Sequence, residues 1–84
     1  MTYFINYNII EKMQYDEIGI FIRNKRKNAG FSLNAFALNN DIEPAILCRV
    51  EKQQQDVKYS ILVKIAKGFG MKLSELIEEF ENAK

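Results

Sequence analysis

The sequence predicts one all-α domain of five short helices. From residue 16 onward, apolar residues recur at intervals of three and four, and no segment after residue 15 shows the two-residue alternation of a strand. A chain of 84 residues has room for one small domain, and its 48% hydrophobic and 27% charged residues are typical of globular proteins. We therefore expect a single hydrophobic core built from helix faces.

The composition argues against several functional classes. The one cysteine, Cys48, permits no internal disulfide bond, and the absence of histidine removes the most common acid, base and metal ligand near neutral pH. No apolar run approaches the roughly 18 residues of a membrane span, and the first residues lack a secretion signal. We expect a cytoplasmic protein that is not an enzyme, with no catalytic residue, metal or cofactor.

Residues that start and end helices divide the chain. The first helix is predicted to begin after Asp16 and to end at Gly30, because glycine readily takes the positive φ of a helix C-terminus. Ser32 is a suitable N-cap for the second helix, which ends in a turn at residues 39–41. Pro44 suits the first turn of the third helix, where its missing N–H has no cost.

The core is predicted from the apolar faces of the last three helices. The fourth helix is expected from about residue 58 to residue 69, with Gly70 ending it, and the fifth carries an acidic surface. The predicted core residues are Ile42, Ile46, Leu47 and Val50 in the third helix, Ile61, Leu62, Ile65, Ala66 and Phe69 in the fourth, and Leu73, Leu76, Ile77 and Phe80 in the fifth.

The N-terminal residues 1–15 differ from the rest of the chain. Between residues 3 and 9, aromatic or β-branched side chains occupy every second position, which favours an extended arm, although residues 9–13 could equally begin a helix. The first helix carries additional apolar surface at Ile20 and Phe21. We hypothesise that the arm, from the same chain or from a partner, covers this surface.

Charge is distributed unevenly along a chain whose net charge is only +1. Residues 23–72 contain ten basic and four acidic residues, a net charge of +6, whereas the two flanks together carry −5. Such segregation can produce one basic face on a nearly neutral protein. Two solvated helix surfaces would have the same charges, so charge alone does not identify a partner.

Residues 32–51 predict a helix-turn-helix unit. Ala37 lies where the two helices must pack closely, and Ile42 is the buried residue after the turn. A plain α-hairpin in a five-helix bundle has the same spacing. The second helix of the unit points six residues away from the core: Glu43, Pro44, Ala45, Cys48, Arg49 and Lys52.

A set of residues spread over most of the chain recurs at the spacing of a known family. These residues are Ile18, Gly19, Ile22 and Arg26, then Ser32, Phe36 and Ala37, then Ile42, Leu47, Arg49, Val50 and Glu51, then Leu62, Lys64, Ile65, Ala66, Phe69 and Gly70, and finally Leu73, Ser74, Glu75 and Leu76. Between Ile18 and Ile77 the sequence therefore resembles the lambda-repressor-like (Cro/Xre-type) helix-turn-helix family. The resemblance implies a five-helix DNA-binding domain at residues 16–84, with residues 1–15 as an N-terminal arm or extension, acting as a homodimer on palindromic double-stranded operators.

The resemblance also implies a set of DNA-binding residues. Arg26 and Glu51 match a pair that forms a salt bridge, which would hold the recognition helix while Arg26 stays near the DNA backbone. The implied phosphate contacts are Ser32, Lys52, Gln53 and Gln54. The residues implied to face base edges in the major groove are Glu43, Pro44, Ala45 and Arg49, with Cys48 as a small residue tolerated beside the groove.

Several positions depart from the family pattern. Pro44 and Ala45 stand where side-chain hydrogen-bond donors are common, so Arg49 is left as the one strong base reader, suited to guanine. Asp41 and Gln53 stand where the family often carries glycine.

Three functions stay open at this stage. The first is a sequence-specific DNA-binding transcriptional regulator, a repressor or controller, that dimerises through the arm or through Leu73, Ile77 and Phe80 of the fifth helix. The second is an antitoxin whose arm faces a toxin. The third is a protein-interaction module that has kept the fold and lost specific DNA reading, which the side chains of Glu43, Pro44 and Ala45 would fit.

Overall fold

The structure is a computed structural model that describes residues 18–83. All regular secondary structure in this range is helical, which confirms the predicted all-α class. The described part of α1 covers residues 18–28, and it is followed by α2 (Leu33–Asn39), α3 (Pro44–Glu51), α4 (Tyr59–Gly68) and α5 (Leu73–Asn82). The predicted arm at residues 1–15 and the cap at Asp16 lie outside the described residues. None of the described helices is long and apolar enough to cross a membrane.

One core joins all five helices. α2 packs on α3 and α4 packs on α5, while α1 contributes Ile18 and Ile22 to the shared interior. The core residues are Ile18, Ile22, Phe36, Ala37, Ile42, Leu47, Val50, Ile65, Ala66, Leu76 and Phe80. Six predicted core positions are only half-buried because they lie where the core meets the surface: Ile46, Ile61, Leu62, Phe69, Leu73 and Ile77.

The first four helices end in the same way. Each is followed by a residue with positive φ, at Gly30, Asp41, Gln53 and Gly70. The N–H of the next residue then donates to a carbonyl five residues earlier, as in the bond of 2.8 Å from Gln54 to Arg49, and this arrangement is a Schellman motif. These compact endings turn the chain sharply, so short connections suffice between helices.

Gly19 allows α1 to lie directly against the end of α3. A Cβ atom at this position would overlap the carbonyl oxygen of Val50, and it would also touch the Gln53 side chain. Only glycine permits this approach without a shift of one helix. The requirement explains why a glycine is tolerated inside α1, where it would otherwise weaken the helix.

We predict that Gly19→Ala destabilises the fold by about 1–3 kcal/mol, because the added methyl group forces α1 away from α3. Thermal or urea unfolding of the purified protein measures this change. In an exposed helix the same substitution stabilises by about 0.5–1 kcal/mol, so a gain in stability would contradict the close approach.

We predict that Gln53→Gly raises the free energy of unfolding by about 0.5–1 kcal/mol. Gln53 has φ 64°, a conformation that strains a residue with a Cβ atom, and relief of that strain exceeds the entropy that glycine adds to the unfolded chain. The adjacent Gln54→Gly is the matched control, because its φ is not positive and it should lose stability. Equal effects of the two substitutions would count against a strained turn.

Candidate functional site

The connection between α2 and α3 is held by side chains on both sides of the turn. Ser32 caps α2 as predicted, since its hydroxyl oxygen accepts a hydrogen bond of 3.1 Å from the N–H of Ala35. The Asn40 amide donates to the carbonyl of Phe36 at 2.7 Å, and Lys64 of α4 donates to the carbonyl of Asp41 at 2.8 Å. These bonds fix the direction in which α3 leaves the turn.

α3 has one buried face and one face open to solvent. Leu47 and Val50 are buried against the core. Among the predicted contact residues, Glu43, Ala45, Arg49 and Lys52 are exposed. Pro44 occupies the first position of the helix, as predicted, and is half-buried. Cys48 is half-buried, and its side chain lines a cavity between α1 and α3.

A buried ion pair ties α3 to α1, and it confirms the predicted contact between Arg26 and Glu51. The Nε and Nη2 atoms of Arg26 donate to the two carboxylate oxygens of Glu51, both at 2.8 Å. Nη1 donates to the carbonyl of Phe31, also at 2.8 Å. Hydrogen bonding to Glu51 raises the pKa of Arg26 above its ordinary value, partly opposed by burial, so the guanidinium stays charged.

The expected DNA contact by Arg26 is corrected by this geometry. Arg26 is 6% exposed and Glu51 is 4% exposed, and each guanidinium nitrogen already has a partner within the domain. Arg26 therefore acts inside the domain, where it holds the end of α3.

Arg49 is held in place by a residue that sequence analysis missed. Its Nε donates to the Oε1 atom of Gln55 at 2.7 Å, which leaves the two terminal amino groups of the guanidinium without a partner among residues 18–83. Gln55 can contact Arg49 because the chain turns at Gln53. Of the two predicted phosphate contacts in this turn, Gln53 is half-buried and Gln54 is exposed. Three consecutive glutamines carry no signal that selects the third, so only the turn reveals it.

The predicted dimer residues on α5 do not form one open surface. Leu73 and Ile77 are half-buried, whereas Phe80 is 6% exposed and its ring lies 5.4 Å from that of Phe21. Phe80 is therefore a core residue in this structure, which corrects its assignment to the dimer surface. Phe21 is covered by the same contact, so Ile20 alone of the two apolar residues singled out on α1 is exposed.

Within residues 18–83, α1 borders a cavity on each of two sides. One of about 180 Å³ lies toward α3 and is lined by Arg23, Arg26, Lys27, Leu33, Cys48, Glu51 and Lys52. The other, of about 560 Å³, lies toward α4 and α5, where Lys25 forms an ion pair of 2.6 Å with Glu79 beside the ring of Phe69. Arg23 and Lys27 were not singled out by sequence analysis, although their four-residue spacing places them on one side of α1.

No family model, curated protein sequence or solved structure matches this chain. The residues of the site itself are therefore the basis for inferring its function. Within residues 18–83, no three histidine, cysteine, aspartate or glutamate side chains lie close enough together to hold a metal ion. The site consists of an exposed face of α3 that carries the guanidinium of Arg49 and has basic side chains beside it.

We predict that Glu51→Ala lowers the free energy of unfolding by about 3–5 kcal/mol, because it leaves the buried guanidinium of Arg26 without its carboxylate. Urea unfolding monitored by circular dichroism measures the change, and Glu78→Ala on the exposed side of α5 is the control. Indistinguishable stabilities for the two variants would mean that the ion pair does not hold the domain together.

Proposed function

We propose that this protein is a sequence-specific regulator of transcription that binds double-stranded DNA through a lambda-repressor-like helix-turn-helix, with α3 as the recognition helix. The observation that carries the proposal is the outer face of α3, where the exposed Arg49 has two amino groups that are unpaired within residues 18–83, on a rigidly held helix. The major groove is about 12 Å wide and admits an α-helix of this diameter.

Arg49 is the main candidate for reading a base. A guanidinium with two available amino groups can donate to O6 and N7 of guanine together, which is the most common specific contact in the major groove. Gln55 supports this role because its bond to Nε favours one orientation of the guanidinium plane before DNA arrives. Ala45, one turn earlier on the same side of the helix, could contact a thymine methyl group, and Glu43 could accept from cytosine N4.

The surroundings of α3 suit a polyanionic partner. Lys52 is exposed at the end of the helix, and Gln53 and Gln54 follow it in the turn. Ser32 is also exposed, and because its oxygen acts as the acceptor for Ala35, its O–H can donate to a phosphate. Four of the eight acidic residues in the described range lie on a different helix, α5, and of the four that lie in or beside α3, Glu51 is paired with Arg26.

A homodimer is part of the proposal, because two recognition helices can then enter successive major grooves about 34 Å apart. Leu73 and Ile77 on α5 are the apolar residues available for such a contact, since both are half-buried in one chain. Phe80 is not included, because it packs against Phe21 in the core.

Fluorescence anisotropy with a labelled duplex from upstream of the gene tests the function, with a scrambled duplex as the control and a series of salt concentrations. Selective binding whose affinity falls steeply with salt supports the proposal, since counterions are released when cations contact phosphates. Equal, weak or salt-independent binding would overturn it and would favour a protein partner instead.

We predict that Arg49→Ala weakens binding to the specific duplex by about 1–3 kcal/mol and has a smaller effect on the scrambled duplex. Gln55→Ala should reduce the same selectivity by a smaller amount, because Arg49 remains but is no longer oriented. Lys67→Ala, an exposed residue in the last turn of α4, is the matched control. If Arg49→Ala weakens binding to both duplexes equally, Arg49 contacts a phosphate and not a base.

A further inference from the structure

We infer that the cavity of about 180 Å³ between α1 and α3 is a binding site for one phosphate group, supplied in the first instance by the DNA backbone. The identity of that source rests on the proposed function. The anion-binding chemistry of the cavity stands on its own residues, and we call it the phosphate cavity.

The phosphate cavity has an excess of positive charge. Arg23, Lys27 and Lys52 line it, and none of the three forms an ion pair or side-chain hydrogen bond with another residue of the described range. The one carboxylate in the lining belongs to Glu51, whose two oxygens both accept from Arg26. These three residues therefore contribute positive charge around the cavity, while the negative charge of Glu51 is balanced by Arg26.

The size of the phosphate cavity suits a small ligand. A volume of about 180 Å³ is enough for a phosphate group and is below the roughly 300–1,000 Å³ of typical pockets for drug-sized ligands. The cavity on the other side of α1 is larger, at about 560 Å³, but its cation Lys25 is already paired with Glu79. Of these two cavities, the smaller one combines several cations with a volume that matches one phosphate.

The phosphate cavity lies beside the proposed base-reading side of α3. Cys48 and Lys52 are one turn apart and both line the cavity, whereas Ala45 and Arg49, also one turn apart, are centred about 60° further around the helix axis. A backbone phosphate bound by the cavity would contact the protein next to the groove that Arg49 enters. Such contacts fix the register of a protein on the duplex, although they do not read sequence.

The double variant Arg23→Ala/Lys27→Ala in the full-length protein tests this inference, with Lys67→Ala as the control. The substituted side chains are exposed and lie outside the core, so circular dichroism should show an unchanged fold. We expect weaker binding to the specific and scrambled duplexes alike. The slope of log affinity against log salt should become less steep by about 0.9 for each phosphate that the variant no longer neutralises.

Cys48 provides a second readout that does not depend on affinity. It is the one cysteine of the chain and it lines the phosphate cavity, so the rate at which iodoacetamide modifies it reports whether a ligand covers this side of α3. For each variant, the rate with ligand is divided by the rate without it. We expect saturating duplex to slow the modification in the wild type and to have less effect in the double variant.

The outcomes separate the inference from the proposed function. If duplex binds but the double variant has the wild-type salt slope and Cys48 is not protected, the phosphate cavity is overturned and DNA binding stands. If no duplex binds, DNA binding is overturned and inorganic phosphate becomes the probe. Slower Cys48 modification in phosphate than in chloride at equal ionic strength, abolished in the double variant, then supports a site for a free phosphorylated ligand, and equal rates overturn it.

Discussion

The buried contact between Arg26 and Glu51 is the interaction on which the arrangement of the site depends. It joins α1 to the last residue of α3, and the third hydrogen bond of Arg26 reaches the carbonyl of Phe31 just before α2. A single guanidinium thus fixes three segments relative to one another. A buried ion pair does not stabilise a fold more than well-packed apolar residues would, because both charges lose their hydration. Its value here is directional, since two parallel hydrogen bonds hold the helix end at one angle and distance.

The helix endings complement this constraint. At Asp41 and Gln53 the chain takes positive φ without glycine, and both positions border α3. The backbone is therefore strained at two positions. The first determines where α3 begins, and the second determines how the loop after α3 folds back toward the helix. The return after Gln53 brings Gln55 against Arg49. The orientation of the exposed arginine is therefore a consequence of backbone geometry several residues away from it.

The same ion pair explains why the basic residues of α1 have different surroundings. Arg26 lies in the interior, where each of its three guanidinium nitrogens donates a hydrogen bond, while Arg23 and Lys27, on the same helix, remain at the surface next to it. Lys25 points to the opposite side and is paired with Glu79. Four neighbouring basic residues of α1 thus have three different environments, and of these four, Arg23 and Lys27 are placed to add charge beside α3.

The sequence by itself determined the helices, most of the core and the Arg26–Glu51 pair. Helix faces follow from apolar spacing, and the cap at Ser32 and the ends at Gly30 and Gly70 follow from local backbone chemistry, so neighbouring residues suffice to predict them. The ion pair was predicted from the family resemblance, which pairs two positions that are far apart in the sequence. Tertiary structure alone decided that the buried Phe80 has Phe21 as its partner, that Cys48 lines a cavity, and that Gln55 reaches Arg49. These contacts depend on how helices cross and how loops return, and no local pattern of residues encodes those distances.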